Sequence, residues 1–196
     1  MIRRNTQEEK SLRLFELHFL KQELRDIEQY RKRCIDQEER TRLRRSAQIH
    51  SRALEDRLHR EGFRGETVMA LEWFPVAKAA WASGSVTYQE KQEVQLVLGE
   101  LGLRDSREAS ELLDDWLRKE PSDALWGLWE QFTLARSRSI EASEFQDRAQ
   151  RIHQACFRVA SASGGILGMG RISAAEQRVL NRVKGVMEKA IASESQ

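Results

Sequence analysis

Hydrophobic residues in the first 62 positions recur at helical spacing. Five of them, separated by steps of three, four and seven residues, form a narrow stripe: Leu17, Leu20, Leu24, Ile27 and Cys34. Such spacing is typical of the apolar seam of a coiled coil. Neither Gly nor Pro occurs before position 62, so no helix-breaking residue interrupts this stretch. The pattern predicts a charged N-terminal helical arm over residues 1–62, either one bent helix or a helical hairpin.

A second apolar stripe begins within a charged stretch at residues 36–45. It consists of Leu43, Ala47, Leu54 and Leu58. Neither stripe is wide enough to bury itself, so each one needs the other stripe, the rest of the chain or a partner. We expect Gly62 and Gly65 to end the arm before a globular part begins.

From residue 66 onward, apolar helical patterns alternate with helix-starting motifs. Residues 67–82 are mostly apolar and predict a central, buried helix, which Pro75 kinks or breaks in its first turn. Thr87 and Glu90 fit a capping box, in which a hydroxyl and a carboxylate satisfy the unpaired N–H groups at a helix start. The segment 105–108 predicts another helix start of the same kind.

Three further helices are predicted: one around Trp126 and Phe132, a long one from about Ile140 to Ala162, and a last one from Ser173 to about Ala192. No segment alternates between apolar and polar residues with the period of two that a strand requires. The predicted fold class is therefore all-α. A compact multi-helix bundle over residues 66–192 follows the arm, and a disordered tail occupies residues 193–196.

Two turns in the predicted bundle are alike. Ala82-Ser-Gly84 and Ala162-Ser-Gly164 each end an apolar helix, and each is followed by a capping box, Thr87-x-x-Glu90 and Ser173-x-x-Glu176. Glycine lets the chain leave a helix through left-handed conformations, and the box then starts the next helix. The bundle is thus predicted to contain two related helix-turn-helix units.

These motifs resemble a known family. The segment "VAKAAWASGSVTYQEKQEVQLVLGELGL" (Val76 to Leu103) is similar to the TerB-like fold of tellurite-resistance and related stress proteins, and "VASASGGILGMGRISAAEQRVL" resembles a more divergent second copy. The resemblance implies a helical bundle with a non-enzymatic role in stress-response or membrane-associated complexes. The family commonly has Asp before the turn glycine, within a proposed acidic metal site, whereas this chain has Ser83 and Ser163. The metal site is therefore not expected here.

Positive charge is concentrated in the predicted arm. Residues 1–64 hold 17 Lys and Arg against 12 Asp and Glu, a net charge of +5, whereas residues 65–196 hold 16 against 19. Four arginines are candidates for contacting an anionic membrane surface or nucleic acid: Arg42, Arg44, Arg45 and, near a helix start, Arg171. Acidic residues interleaved through segment 31–45 also fit a solvated, salt-bridged helix face.

Candidate reactive groups do not assemble into a known catalytic motif. The glycine-rich loop at residues 164–171 lacks the Lys-Ser/Thr of a P-loop and follows a predicted helix instead of a strand. His153 and Cys156 are close on one predicted helix, but Cys156 lies on its apolar stripe, as a small core residue would. Tryptophans 116, 126 and 129 with Phe132 are typical of a core. We expect no catalytic residue, metal or cofactor.

Composition narrows the function further. The chain is 33% charged, which excludes a membrane bundle, and its first residues lack the apolar run of a signal peptide, so a cytoplasmic location is expected. The leading hypothesis is a non-catalytic helical interaction or scaffold protein that self-associates or holds a protein partner through the stripe at Leu17, Leu20, Leu24 and Ile27. The alternative is a peripheral binder of anionic membranes or nucleic acid through residues 31–45. Neither hypothesis implies a small-molecule substrate.

Overall fold

The computed structural model describes residues 6–100, 106–162 and 172–193, with side chains from residue 13 onward. Within these ranges the chain forms eight α-helices, one 3-10 helix and no strand, which confirms the predicted all-α class. The α-helices are α1 (Thr6–Ala47), α2 (Arg52–Arg60), α3 (Phe74–Ala80), α4 (Tyr88–Glu100), α5 (Arg107–Arg118), α6 (Ala124–Ser137), α7 (Ala142–Ala162) and α8 (Ala174–Ala192). Among the described residues, no helix is both long and apolar enough to cross a bilayer.

The chain divides into two compact units, one up to Glu39 and one from Arg40 onward. The boundary therefore lies inside α1, earlier than the division between residues 1–62 and 66–192 that the sequence pattern predicted. The difference arises from the second apolar stripe, whose members are all buried in the core of the second unit: Leu43, Ala47, Leu54 and Leu58. Because these four residues pack in that core, the end of α1 and all of α2 belong to the bundle.

The arm is two helices, and they separate at residues 48–51. Gln48 adopts a left-handed conformation with φ of 50°, which ends α1 without a glycine. Ser51 then caps α2, because its side-chain oxygen accepts a hydrogen bond from the Leu54 N–H. The charged stretch at residues 36–45 does not interrupt α1, and Gly62, with φ of 90°, follows the end of α2.

Two helical hairpins form the centre of the second unit. Helices α3 and α4 make one, α7 and α8 make the other, and α7 packs against both helices of the first. Both predicted capping boxes are present, since Thr87 and Ser173 exchange hydrogen bonds with Glu90 and Glu176 respectively. The two glutamates are buried helix caps. Gly84 has φ of 92°, as its predicted turn requires, and the corresponding turn and loop at residues 163–171 lie outside the described residues.

At three helix starts the structure refines the predicted position. Residues 67–82 form a 3-10 helix, Val68–Trp73, followed by α3, because Pro75 fits only the first turn of an α-helix. Ser106 caps α5 through the Ala109 N–H, in place of the expected start at residue 105, which lies outside the described residues. Helix α7 begins at Ala142, two positions after the predicted start. Residues 194–196 of the predicted tail also lie outside the described residues.

Aromatic side chains join the elements of the second unit. Phe74 lies edge-on to both Trp116 and Trp126, with ring centroids 5.9 and 4.9 Å apart, and Trp126 lies edge-on to Trp129 at 5.6 Å. These T-shaped contacts connect α3, α5 and α6. All four rings are buried, which confirms that the tryptophan cluster belongs to the core.

Leucine truncation separates core positions from surface positions. We expect Leu43→Ala to lower the free energy of unfolding by about 2–5 kcal/mol, because Leu43 is 1% exposed and its loss leaves a cavity. The same change at Leu96, a residue of α4 that is 55% exposed, should lower it by less than about 0.5 kcal/mol. Urea unfolding followed by tryptophan fluorescence measures both. Equal effects would show that the end of α1 is not part of the core.

Candidate interaction surface

The first unit presents the predicted apolar stripe on its surface. Leu17, Leu20, Leu24 and Ile27, hereafter the seam, lie in α1 and are between 48% and 53% exposed. Their spacing places them on one side of the helix. The structure therefore leaves uncovered the first stripe that the sequence analysis identified, whereas the second stripe is buried.

Five further large apolar side chains of the first unit are also exposed, and the sequence analysis did not select them: Leu14, Phe15, Phe19, Tyr30 and Ile35. Phe15 and Phe19 lie one turn apart, with ring centroids separated by 6.3 Å. Leu14 and Ile35 lie along one border of the seam when a helical repeat of seven residues is followed. Their presence in such a charged helix was the signal that could have identified them.

Elementary helix propensity explains why this segment is helical without a core of its own. Glu, Gln, Lys, Arg and Leu dominate it, and all are good helix formers. Local side-chain contacts add to this, such as the 2.9 Å hydrogen bond from Arg25 to the Gln22 side chain. The helix therefore displays the seam leucines without needing to bury them.

Three arginines near the end of α1, Arg40, Arg42 and Arg44, pair with carboxylates inside the second unit. Arg44 donates two hydrogen bonds of 2.8 Å to Glu55, a bidentate pair that raises the pKa of Arg44. Arg40 pairs with Asp56 and lowers the pKa of that carboxyl, and Arg42 lies 3.3 Å from Glu66. These pairs connect α1 to α2 and to the loop that follows, so much of the local positive charge is already balanced.

The two remaining predicted anion-binding residues are Arg45 and Arg171. Arg45 is exposed and, with Arg42, lines an open groove of about 390 Å³ that also contains Ser46, Ser106 and Glu108. Two acidic side chains in this groove, Glu66 and Glu108, reduce its attraction for anions. Arg171 lies outside the described residues, so the structure does not place it beside the other three arginines.

A deeply buried positive charge of the second unit belongs to Arg136 of α6, which is 2% exposed. Its guanidinium lies 3.6 Å from Glu72 and donates to the Gln48 side chain at 3.1 Å, which ties α6 to the residue that ends α1. Burial lowers the pKa of Arg136, while the nearby Glu72 carboxylate opposes that shift. Arg148 also reaches Glu72, at 3.5 Å. The cluster connects four segments: the end of α1, the 3-10 helix Val68–Trp73, α6 and α7.

His153 and Cys156 both lie on α7. Cys156 is fully buried, and burial raises the pKa of its thiol, which therefore stays protonated. His153 is half-buried on the same helix. The described ranges hold no group of three or more His, Cys, Asp and Glu side chains that could bind a metal ion.

Comparison with known proteins does not assign the chain to a family. No family model matches the chain, and no curated protein or solved structure is significantly similar to it. The TerB-like resemblance therefore stays a prediction from the motifs around Gly84 and Gly164.

Removal of the Glu72 charge tests the buried cluster. We expect Glu72→Gln to lower the free energy of unfolding by about 3 kcal/mol, because it leaves the Arg136 guanidinium buried without its carboxylate. Glu144→Gln removes an exposed carboxylate that forms its ion pair with Arg148, the outer arginine of the cluster. It is the matched control and should have a much smaller effect. Urea unfolding compares the two. A stable Glu72→Gln variant would show that the Arg136 charge is balanced in another way.

Neighbouring arginines provide a second test. Arg44→Gln should lower the urea midpoint, because it leaves Glu55, which is 2% exposed, without its bidentate partner. Arg45→Gln changes an exposed residue on the same turn and should leave the midpoint nearly unchanged. Equal midpoints for the two variants would contradict the structural role assigned to Arg44.

Proposed function

We propose that this chain is a non-catalytic helical interaction protein that self-associates through the seam of its first unit. The proposal is based on one observation, the exposure of the four seam side chains and of Leu14 and Ile35 on the border of the seam. Exposed apolar patches of this kind are typical of surfaces that meet another macromolecule, because leaving them in water costs free energy.

The contrast between the two units supports this assignment. In the described part of the second unit, only Tyr88, Leu96 and Phe157 are large, apolar and exposed, and they belong to different helices or to distant turns. The second unit buries its hydrophobic residues around the aromatic cluster instead. Its surface carries charged side chains in salt bridges, for example Arg158 with Glu93 and Glu100.

The biological process that we assign to this interaction role is based on the TerB-like motif resemblance. Because TerB-like domains serve stress-response complexes without catalysis, we assign the second unit a scaffold role of that kind in the cytoplasm. The alternative, a peripheral binder of anionic membranes or nucleic acid, has weaker support, since Arg42 and Arg44 already contact carboxylates. Arg45, the third arginine of this candidate site, is exposed.

Mass in solution tests the proposal. The full chain should exceed its monomer mass of 22.8 kDa in multi-angle light scattering, increasingly so at higher concentration. The variant Leu20→Ser, Leu24→Ser should return to the monomer mass, because each lost leucine contact removes about 1.5–3 kcal/mol of apolar burial.

Phe19→Ser is the matched control, since Phe19 is 59% exposed on the same helix but lies away from the seam. It should retain the mass of the full chain. A monomeric full chain at all concentrations, or a seam variant with unchanged mass, would contradict self-association through the seam.

A further inference from the structure

The seam extends beyond its four apolar residues when the seven-residue repeat is followed along α1. Leu17 and Leu24 occupy one set of core positions and Leu20 and Ile27 the other, and the next two core positions are Arg31 and Cys34. Arg13 and Glu38 occupy the core positions at the two ends of this segment. Charged residues at core positions restrict how two such helices can pair, because each charge must meet an acceptable neighbour.

We propose that the seam is occupied by the same segment of a second copy of this chain, lying antiparallel. In the pairing that the charges select, Leu17 faces Cys34 of the second copy, Leu20 faces Arg31, and Leu24 faces Ile27. The inference rests on the proposed function and adds the identity, direction and register of the partner helix.

Charge complementarity is the main argument. In this register Arg13 of one copy faces Glu38 of the other across the core, so that opposite charges meet at both ends of the pair. Beside the core, Lys21 lies next to Glu28 of the second copy. The two-fold symmetry of the pair repeats each contact, which gives four complementary ion pairs in all.

The apolar border of the seam fits the same arrangement. Leu14 and Ile35 lie in the flanking series that contains Lys21 and Glu28, at its opposite ends. In the antiparallel register Leu14 of one copy lies beside Ile35 of the other. Two side chains that are 68% and 59% exposed in the single chain would therefore cover each other.

Arg31 is accommodated as well. It faces Leu20 of the second copy, and its long side chain reaches the edge of the interface, where Glu23 of the second copy lies close by. A single charged residue at a core position is a known means of fixing one register at some cost in stability.

Parallel, in-register pairing would place like charges together. Each charged core residue would then face the same residue of the second copy: Arg13 against Arg13, Arg31 against Arg31 and Glu38 against Glu38. Beside the core, Glu23 would lie next to Glu28, and Glu16 next to Lys21 would be the favourable ion pair. This arrangement is disfavoured by repulsion between like charges.

Antiparallel registers shifted by one repeat are also disfavoured. A shift in one direction brings Lys21 against Lys21 and Arg13 against Arg31. A shift in the other direction brings Glu28 against Glu28 at the centre and places Glu38 opposite Leu20. The register that pairs Leu24 with Ile27 avoids all of these contacts.

Charge reversal at position 28 tests the direction of pairing in the full chain. The antiparallel register predicts that Glu28→Lys raises the dimer dissociation constant about tenfold, because Lys21 then meets a lysine twice. Adding Lys21→Glu to this variant should restore the constant to within about threefold. Parallel pairing predicts tighter association for Glu28→Lys, since Glu23 would gain a positive neighbour.

Asp26→Lys is the matched control for this measurement. It makes the same change in net charge at an exposed position of α1 outside the interface, and it should leave the dissociation constant within about threefold. Circular dichroism of every variant verifies that helix content is retained, so that a weaker dimer is not the result of a less stable helix.

A thiol cross-link tests the register independently. In the antiparallel pair the two Cys34 residues are separated by about 25 Å along the axis, so an added oxidant should not join them. The variant Leu17→Cys places a new thiol opposite Cys34 of the second copy, and oxidation should give a covalent dimer whose peptide map links positions 17 and 34. Cys156 does not interfere because it is buried.

The outcomes separate the two proposals. A dimer that weakens with Glu28→Lys, recovers with the added Lys21→Glu and links position 17 to position 34 supports both. A dimer that tightens with Glu28→Lys, or that links Cys34 to Cys34, overturns the antiparallel register and leaves self-association through the seam intact. A full chain that is monomeric at all concentrations, and is unaffected by changes at Leu20 and Leu24, overturns both proposals.

Discussion

A single α-helix cannot bury an apolar stripe against itself, and this constraint governs the whole chain. Helix α1 meets it in two ways. Its last turns place Leu43 and Ala47 in the core of the second unit, where other helices cover them. Its earlier turns keep Leu17 through Ile27 exposed, although the same kinds of residue occur there. The exposed stretch has the apolar surface that a second helix could cover, which is the basis of the proposed self-association.

The second unit illustrates how the same constraint is satisfied internally. Each of its central helices is apolar on the side that meets a neighbour, and the hairpins α3–α4 and α7–α8 cover one another. Aromatic rings at the contacts and the buried ion pair of Arg136 with Glu72 connect the remaining helices to this centre.

Local signals made much of the fold predictable from sequence. The predictions of capping boxes at Thr87 and Ser173, and of a helix break at Pro75, are confirmed. Each of these features depends on residues within one or two turns. The position at which α1 ends was not predicted. The helix ends at Gln48 in a left-handed conformation, and a glycine is the usual sequence signal for that conformation. The boundary between the units depended on burial of Leu43, which only distant contacts determine.

The candidate surface shows the same division between local and distant information. The spacing of the four seam residues was visible in the sequence, and their positions on α1 follow from helical geometry alone. The pairing of Arg44 with Glu55 was not visible, since it requires α2 to fold back beside α1. An arginine cluster that resembles an anion-binding site in the sequence can therefore have carboxylate partners once the chain is folded.

Hydrogen exchange measured at two protein concentrations tests the central claim most directly. If the seam is covered by another copy of the chain, amides of residues 14–35 should exchange more slowly at high concentration than at low concentration, while amides of α7 and α8 exchange equally at both. Exchange of residues 14–35 that does not change over a thousandfold range of concentration would contradict the account.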